Sequence, residues 1–146
     1  GFFLRAESTY NVASEIDRVK SPGGNGELFM KSYGGISLHN QSHGESFMAI
    51  MKNRFSGHGL YILDEPEAAL SPSRQMAMLA LMKRLVDQDS QFIISTHSPI
   101  LMAYPEAEII ELDETGFRST PYKETTHYRL TNYFLNNTEQ MLNELM

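Results

Sequence analysis

Residues 60–66 read Leu-Tyr-Ile-Leu-Asp-Glu-Pro, and residues 92–99 read Phe-Ile-Ile-Ser-Thr-His-Ser-Pro. Each stretch is an apolar run that ends abruptly in charged or polar residues. The segment between them carries apolar residues at helical spacing, so the three pieces predict a strand–helix–strand unit. In an open α/β sheet, ligands bind at the carboxyl ends of the strands, which is where these polar residues fall.

A phosphate-binding loop is absent from the sequence. No G-x-x-x-x-G-K-[ST] motif, whose backbone amides cradle phosphate groups, occurs in the 146 residues. The chain also starts at Gly1, without Met, in an apolar run. Together with the strand–helix–strand unit, these features favour the carboxyl-terminal part of a nucleotide hydrolase.

Composition narrows the class of protein. A hydrophobic content of 41% is typical of a globular domain. The absence of cysteine excludes disulfides and thiolate metal sites, and it favours the cytoplasm. No signal peptide or membrane-spanning run is visible. The net charge is −6 and the Lys and Arg residues are scattered, so this segment offers no basic surface for nucleic acid.

The remaining elements follow from periodicity and from helix caps. The helix after Ser42 should bury Phe47, Ile50 and Met51, and the helix that Ser71 caps should bury Met78, Leu81, Met82 and Leu85. We also predict a strand over residues 2–7, a helix over 8–20, a third buried strand over 107–112, an edge strand over 117–120, and one or two helices after 125, the last near 138–145. Two parts are expected: residues 1–56, with the end of a first lobe and a helical subdomain, and residues 57–146, an α/β part with carboxyl-terminal helices.

Asp64 and Glu65 are the first candidate site. Their strand is apolar on both faces, which suits a central place in a parallel sheet. Two adjacent carboxylates at its end are costly to desolvate unless a cation or a reacting group offsets them. In phosphoryl transfer Asp64 fits a Mg²⁺ ligand, and Glu65 fits the general base that polarises the attacking water. Alone, the same residues could simply begin a turn.

His97 follows the second strand, between Ser95-Thr96 and Ser98-Pro99. If the two strands are neighbours in the sheet, its imidazole could contact a terminal phosphate or the attacking water. A lone His after a strand is more often a capping or surface residue. The abrupt change from an apolar run to this polar stretch favours a catalytic role.

Residues 42–45 have two compatible interpretations. Ser42 and Glu45 form a capping-box pattern, which contributes about 1 kcal/mol and requires no function. Ser42, His43 and Gly44 would also present backbone amides to an anion at a helix start, and Gly44 would permit a close approach by phosphate.

Taken in order, these motifs resemble the second half of an ABC-type ATPase. Residues 42–45 correspond to the signature, 60–66 to Walker B, 69–72 to the D-loop and 96–99 to the switch histidine. The Asp-Glu-Pro-Glu-Ala-Ala-Leu-Ser-Pro and Thr-His-Ser-Pro-Ile-Leu stretches are most similar to stand-alone bacterial predicted ATPases that have no transporter membrane domain. The resemblance implies a P-loop NTPase-like α/β fold that is incomplete in this segment, with a mostly parallel sheet, flanking helices and a small helical subdomain.

The resemblance also implies cofactors, partners and roles. ATP and Mg²⁺ would be bound between two head-to-tail copies, so a homodimer is expected. The signature residues Ser42, His43, Gly44 and Glu45 would face the γ-phosphate from the second copy. Ser71 would lie near the dimer interface, and Glu7 would stand near the metal with Asp64. A DNA or defence-system partner would be bound outside this segment.

The sequence departs from the family pattern at several positions, and two alternative functions remain; Glu45, for example, stands where transporters commonly carry Gln. His43 stands where a small Gly is usual, and Ser71 replaces the usual Asp of the D-loop. Without a phosphate loop the segment alone should be inactive. The alternatives are a non-catalytic dimerisation or interaction module, in which the acids are remnants, and a metal-dependent nuclease that uses Asp64, Glu65 and Glu67 directly.

Overall fold

The computed structural model describes residues 1–5, 43–114 and 116–146. Within them the chain divides into two compact units, Gly1–Thr96 and His97–Met146. The predicted helix over 8–20 and most of the predicted helical subdomain lie outside the described residues, and the predicted division near residue 56 stays a prediction. The described elements are β1 (Phe2–Arg5), α1 (His43–Arg54), β2 (Leu60–Asp64), a 3₁₀ turn (Pro66–Ala69), α2 (Pro72–Val86), β3 (Gln91–Ser95), α3 (Pro99–Met102), β4 (Ile110–Asp113), β5 (Gly116–Ser119), a 3₁₀ turn (Tyr122–Glu124), α4 (Thr126–Asn136) and α5 (Thr138–Leu145).

A three-stranded parallel sheet organises the first unit. The strand order is β1-β2-β3, so β2 has the central position that its apolar run predicted. Asp64 pairs in register with Arg5 on one side and with Ser95 on the other. The α/β fold and the adjacency of the two predicted strands are therefore confirmed, and the arrangement is P-loop NTPase-like.

One face of this sheet forms the core with α1 and α2. Alternation along the strands places Leu4, Tyr61 and Leu63 on that face, where each is buried. Both helices bury the faces that their periodicity predicted; the buried helix residues are Phe47, Met48, Ile50 and Met51 in α1 and Met78, Leu81, Met82 and Leu85 in α2. Each large apolar side chain buried in this way contributes about 1.5–3 kcal/mol to stability.

An aromatic cluster lies at one level of the core face. Phe2, Tyr61 and Phe92 are in register across the three strands, and Phe55, just after α1, packs among them. The Phe55 ring stacks on Tyr61 at 4.0 Å between centroids and lies 5.3 Å from Phe2 and 6.4 Å from Phe92. Tyr61 is fixed further by its hydroxyl, which donates to the Ser56 carbonyl at 2.6 Å and accepts from the Ser56 amide at 2.7 Å. The cluster therefore ties all three strands to the end of α1.

The opposite face of the sheet, which we call the outer face, is apolar and exposed. It consists of Phe3, Leu60, Ile62 and Ile93, whose exposed fractions are 66%, 40%, 37% and 52%. Parallel sheets normally have layers packed on both faces, which is why their strands are apolar on both sides. The described residues supply that layer on the core face.

Helix α2 begins and ends at signals visible in the sequence. Ser71 has extended backbone angles and its hydroxyl accepts from the Arg74 amide at 3.4 Å, while Pro72 occupies the first turn, where it needs no donor. At the other end Asp89 adopts a positive φ of 59°, and the Ser90 amide donates to the Leu85 carbonyl. The predicted cap at Ser71 is confirmed.

The second unit contains a β-hairpin, where one prediction was wrong. Residues 107–112 were expected to form a third buried strand, but β4 spans Ile110–Asp113, is largely exposed, and pairs antiparallel with β5 in a separate two-stranded sheet. The strict alternation Ile110-Glu111-Leu112-Asp113 explains the difference, because period-two alternation is typical of a strand with one polar face. The predicted edge strand corresponds to β5, within one residue at each end.

The helices α4 and α5 confirm the predicted carboxyl-terminal helices. Helix α4 is capped by Thr125, which is fully buried and whose hydroxyl accepts from the Tyr128 amide at 3.3 Å. Helix α5 follows after Asn137. Throughout the described ranges, no helix combines the length and the apolar character that crossing a lipid bilayer requires.

Glu111 links the hairpin to α4 and gives the second unit a predictable response to acid. Its Oε1 accepts from the Thr126 amide at 2.8 Å and its Oε2 accepts from Arg118 at 3.1 Å. The Thr126 amide is the main cause that lowers the pKa of Glu111 below its usual 4.5. Because the folded-state pKa lies below the unfolded-state pKa, ionised Glu111 stabilises the fold at pH values above the unfolded-state pKa. This stabilisation is lost as the pH falls below 4.5 and through the folded-state pKa.

We therefore expect Glu111→Gln to lower the melting temperature near neutral pH, and to lower it less at an acidic pH below the folded-state pKa of Glu111, where both proteins carry a neutral side chain. Thermal unfolding followed by circular dichroism at the two pH values measures this. Glu114→Gln, at an exposed position of the same hairpin, is the matched control and should change neither curve. An equal loss for Glu111→Gln at both pH values would show that the carboxylate charge is not responsible.

Candidate functional site

Asp64 closes the central strand with its carboxylate beside a cation. Arg5, its register partner on β1, donates from Nε to Asp64 Oδ2 at 2.7 Å. The Asp64 side chain is 27% exposed, so it remains reachable from solvent at the carboxyl end of the sheet. The charge of this carboxylate is thus offset within the protein by a residue 59 positions earlier in the chain.

Glu65, the residue just after β2, has an unusual backbone conformation. Its φ of 46° and ψ of 52° are left-handed, which costs a residue other than glycine about 1–2 kcal/mol. The Glu65 amide donates to the Ser95 carbonyl at 2.9 Å, and the Glu65 carbonyl accepts from the Ala68 amide at 3.0 Å. These two hydrogen bonds hold the Glu65 backbone in this conformation. The side chain is exposed immediately past the strand. Strain of this kind clusters at functional sites.

The start of α1 packs closely against the turn that follows Glu65. A Cβ atom added at Gly44 would lie 2.6 Å from the Ala69 carbonyl oxygen and 2.7 Å from Arg74 Nη1. Arg74 also reaches Glu45, with 3.1 Å between Nη2 and Oε1. Packing therefore explains the glycine, and the predicted contact of Gly44 with phosphate stays a prediction.

Among the other predicted binding residues, Ser71 is the one whose side chain lies within the described part of the chain. Ser71 is exposed, caps α2 and lies 3.1 Å from the Ser73 hydroxyl, oxygen to oxygen. Ser42 and Glu7 lie outside the described residues, as does the side chain of His43, whose backbone begins α1. The structure thus brings Gly44, Glu45 and the first turn of α2 together through Arg74.

His97 belongs to the second unit, where it meets another histidine. Its Nδ1 lies 3.3 Å from Nε2 of His127, a hydrogen-bonding distance, and the two ring centroids are 5.0 Å apart. His97 immediately precedes Ser98, whose hydroxyl caps α3 by accepting from the amides of Ile100 and Leu101. His127 lies in the first turn of α4.

Comparison with known protein families identifies the chain. A family model described as the AAA ATPase domain matches residues 16–102, more than half of the sequence. The chain belongs to this family. The AAA ATPase domain is a P-loop ATPase domain, so the general activity is the binding and hydrolysis of ATP. No curated protein matches the chain.

An AAA ATPase domain binds nucleotide, typically with Mg²⁺, and Asp64 fits that ion. Mg²⁺ that accompanies ATP usually takes one or two protein carboxylates, while phosphate and water supply its other ligands. Among residues 1–5, 43–114 and 116–146 no group of three or more ligating His, Asp or Glu side chains occurs. Asp64 would supply one such carboxylate in competition with Arg5, which is hydrogen-bonded to its Oδ2.

Sequence reasoning about this AAA ATPase domain missed three residues that contact the predicted ones. Arg5 pairs with Asp64, Arg74 pairs with Glu45, and His127 contacts His97. Each of these residues lies about 30 positions or more along the chain from the residue that it contacts. No local sequence pattern therefore indicates the contact. The contact between Arg5 and Asp64 follows from the register of β1 and β2, which the sequence does not give.

Proposed function

We propose that this chain is the carboxyl-terminal portion of an ABC-type ATPase that works as a head-to-tail dimer. The observation that carries the proposal is the end of β2, where Asp64 is followed by Glu65 in a strained left-handed conformation. Two carboxylates at the carboxyl end of a central parallel strand suit phosphoryl transfer at that edge. In this proposal residues 60–65 form the Walker B element.

The two carboxylates have separate roles in the proposed reaction. Asp64 would hold Mg²⁺, which neutralises charge on the phosphates when it is bound. Glu65 would accept a proton from the water that attacks the γ-phosphorus, and ADP and phosphate would leave. The role of His97, contact with the γ-phosphate or the attacking water, rests on the sequence resemblance.

The proposed dimer would complete each site with the signature of the second copy. Ser42, His43, Gly44 and Glu45 would face the γ-phosphate there, and Ser71 would lie near the interface. The contacts among Gly44, Glu45 and Arg74 support a mechanical link, since they join the signature helix α1 to the start of α2. A displacement of residues 43–45 would therefore be transmitted to the segment just after Glu65.

The proposal requires an upstream segment that carries the Walker A loop. Supporting this, the 146 residues contain no G-x-x-x-x-G-K-[ST] motif. The outer face (Phe3, Leu60, Ile62 and Ile93) is consistent with this, because parallel sheets normally have a layer on both faces and residues 1–5, 43–114 and 116–146 cover only the other face. The additional segment would supply both the phosphate cradle and that layer.

Calorimetric titration tests the proposal. Mg-ATP is titrated into this chain and into a version extended upstream to the native start, both carrying Glu65→Gln to prevent turnover. The expected result is no binding by the short chain, and tight binding with dimer formation by the extended chain. Tight binding by the short chain would contradict the need for a separate Walker A loop. If neither chain binds, the ATPase proposal is wrong and the interaction module becomes the better account.

A further inference from the structure

The second unit brings two histidines together from separate helix starts. His97 comes one residue before the cap of α3, and His127 is the second residue of α4. Their rings approach at 3.3 Å between His97 Nδ1 and His127 Nε2, with the ring planes inclined by 58°. At this distance one neutral ring can donate a hydrogen bond to the lone pair of the other, and the tautomers decide which ring is the donor.

The position of His127 is fixed from several directions. Thr125, two residues earlier, is fully buried, and its hydroxyl donates to the Tyr122 carbonyl at 2.8 Å and accepts from the Tyr128 amide. The Thr126 amide donates to Glu111. These bonds leave the first turn of α4 little freedom to move relative to the hairpin.

The position of His97 is fixed through the same structural framework. Ser98 is buried and caps α3, and Leu101 of that helix is buried as well. The Tyr122 hydroxyl donates to the Pro99 carbonyl at 2.9 Å, which links the turn before α4 to the start of α3. Burial, and secondly the neighbouring Tyr128, raises the pKa of Tyr122 above 10.0, so this donor keeps its proton at neutral pH.

We propose that His127 is a positioning residue for His97: its Nε2–H donates to His97 Nδ1 and thereby places the His97 proton on Nε2. Which imidazole nitrogen carries the proton is set by the hydrogen bond that the other nitrogen makes. A phosphate oxygen is an acceptor and requires the N–H donor that this tautomer presents at Nε2. The inference rests on the proposed function, in which His97 contacts the γ-phosphate or the attacking water.

The contact itself is tested on this chain without any nucleotide. Long-range ¹H–¹⁵N correlation spectra, recorded near pH 8 with EDTA to remove bridging metal ions, report the tautomer of each histidine. We expect His97 to be the single Nε2–H tautomer, His127→Ala to give a mixture, and His127→Gln, whose side-chain amide can donate to Nδ1, to restore the single form. His58→Ala, which removes a histidine of the first unit, is the control and should leave His97 unchanged. An Nδ1–H tautomer of His97 in the unmodified chain, or no change in His127→Ala, would overturn the proposal.

The functional consequence is tested in the protein extended upstream. We expect His127→Ala to lower kcat about tenfold with KM little changed, and His127→Gln to recover most of the loss. His97→Ala should cost more, and His127→Ala added to His97→Ala should cost nothing further, because His127 acts through His97. Additive losses, or an unchanged kcat in His127→Ala, would overturn the positioning role. If the unmodified extended protein does not hydrolyse ATP, the proposed function fails and this role with it, whereas the tautomer spectra separately decide whether the contact exists.

Discussion

Glu65→Gln in the upstream-extended protein is expected to lower kcat for ATP hydrolysis about 100- to 10,000-fold, the usual contribution of a positioned general base. Glutamine keeps the size of the side chain but cannot accept the proton of the attacking water. Binding of Mg-ATP should persist, because the proposed metal ligand is Asp64. Steady-state phosphate release, together with calorimetric binding, measures both quantities. Turnover close to that of the unmodified protein would exclude Glu65 as the base.

Replacing Glu65 by glycine distinguishes the catalytic role of its carboxylate from the effect of its strained backbone. Glu65→Gly should also abolish turnover, yet it should raise the free energy of unfolding by about 1 kcal/mol, because glycine adopts positive φ without the Cβ clash. Glu106 is the matched control, since it is exposed and has a φ of 62°. Glu106→Gly should give a similar gain in stability with full turnover. Loss of turnover in both glycine variants would point to a structural effect instead.

Phe55→Ala is expected to lower the free energy of unfolding of the first unit by about 3–5 kcal/mol. Phe55 is 6% exposed and lies at the centre of the aromatic cluster. The cost of such a truncation depends on how far the neighbours can collapse into the cavity. Tyr61 cannot move readily, because its hydroxyl is bonded to both the amide and the carbonyl of Ser56. We therefore expect a value in the upper part of this range.

Urea unfolding followed by far-ultraviolet circular dichroism measures this loss, and Phe3→Ala provides the control. Phe3 is the same residue type in the same sheet, but it is 66% exposed on the outer face. Its truncation removes little buried area and should cost about 1 kcal/mol or less, mainly through strand propensity. Equal losses for the two variants would mean that the aromatic cluster contributes no more than the exposed face.

The elements that could be predicted from the sequence are those with local signals. The apolar runs of β2 and β3, the spacing of Met78 and Leu85, and the Ser71 cap each depend on residues close together in the chain. The structure confirms these features, and the parallel pairing of β2 and β3 follows from the helix between them. Asp64 and Glu65 were identified in the same way, as an abrupt change at a strand end.

The features that could not be predicted depend on contacts between distant residues or on backbone angles. The salt bridge between Arg5 and Asp64 requires the exact register of β1. The close approach of Gly44 to Ala69 depends on how α1 packs on the turn after β2. The left-handed conformation of Glu65 has no compositional signal, since glycine or asparagine is the usual residue there. These long-range contacts shape the environment of the candidate site.

The order of strands in the sheet has a consequence for how the protein is made. Gly59 and Ser90, just before β2 and β3, are 31 residues apart, whereas Arg5 and Asp64, at the ends of β1 and β2, are 59 apart. Closing the shorter loop costs less chain entropy, so β2, α2 and β3 can assemble first and accept β1 last. During synthesis, however, β1 leaves the ribosome before its partner strand exists. Pairing of Phe2, Phe3 and Leu4 with β2 must therefore wait until translation has passed residue 64, so the described sheet is completed by its most distant strand pairing.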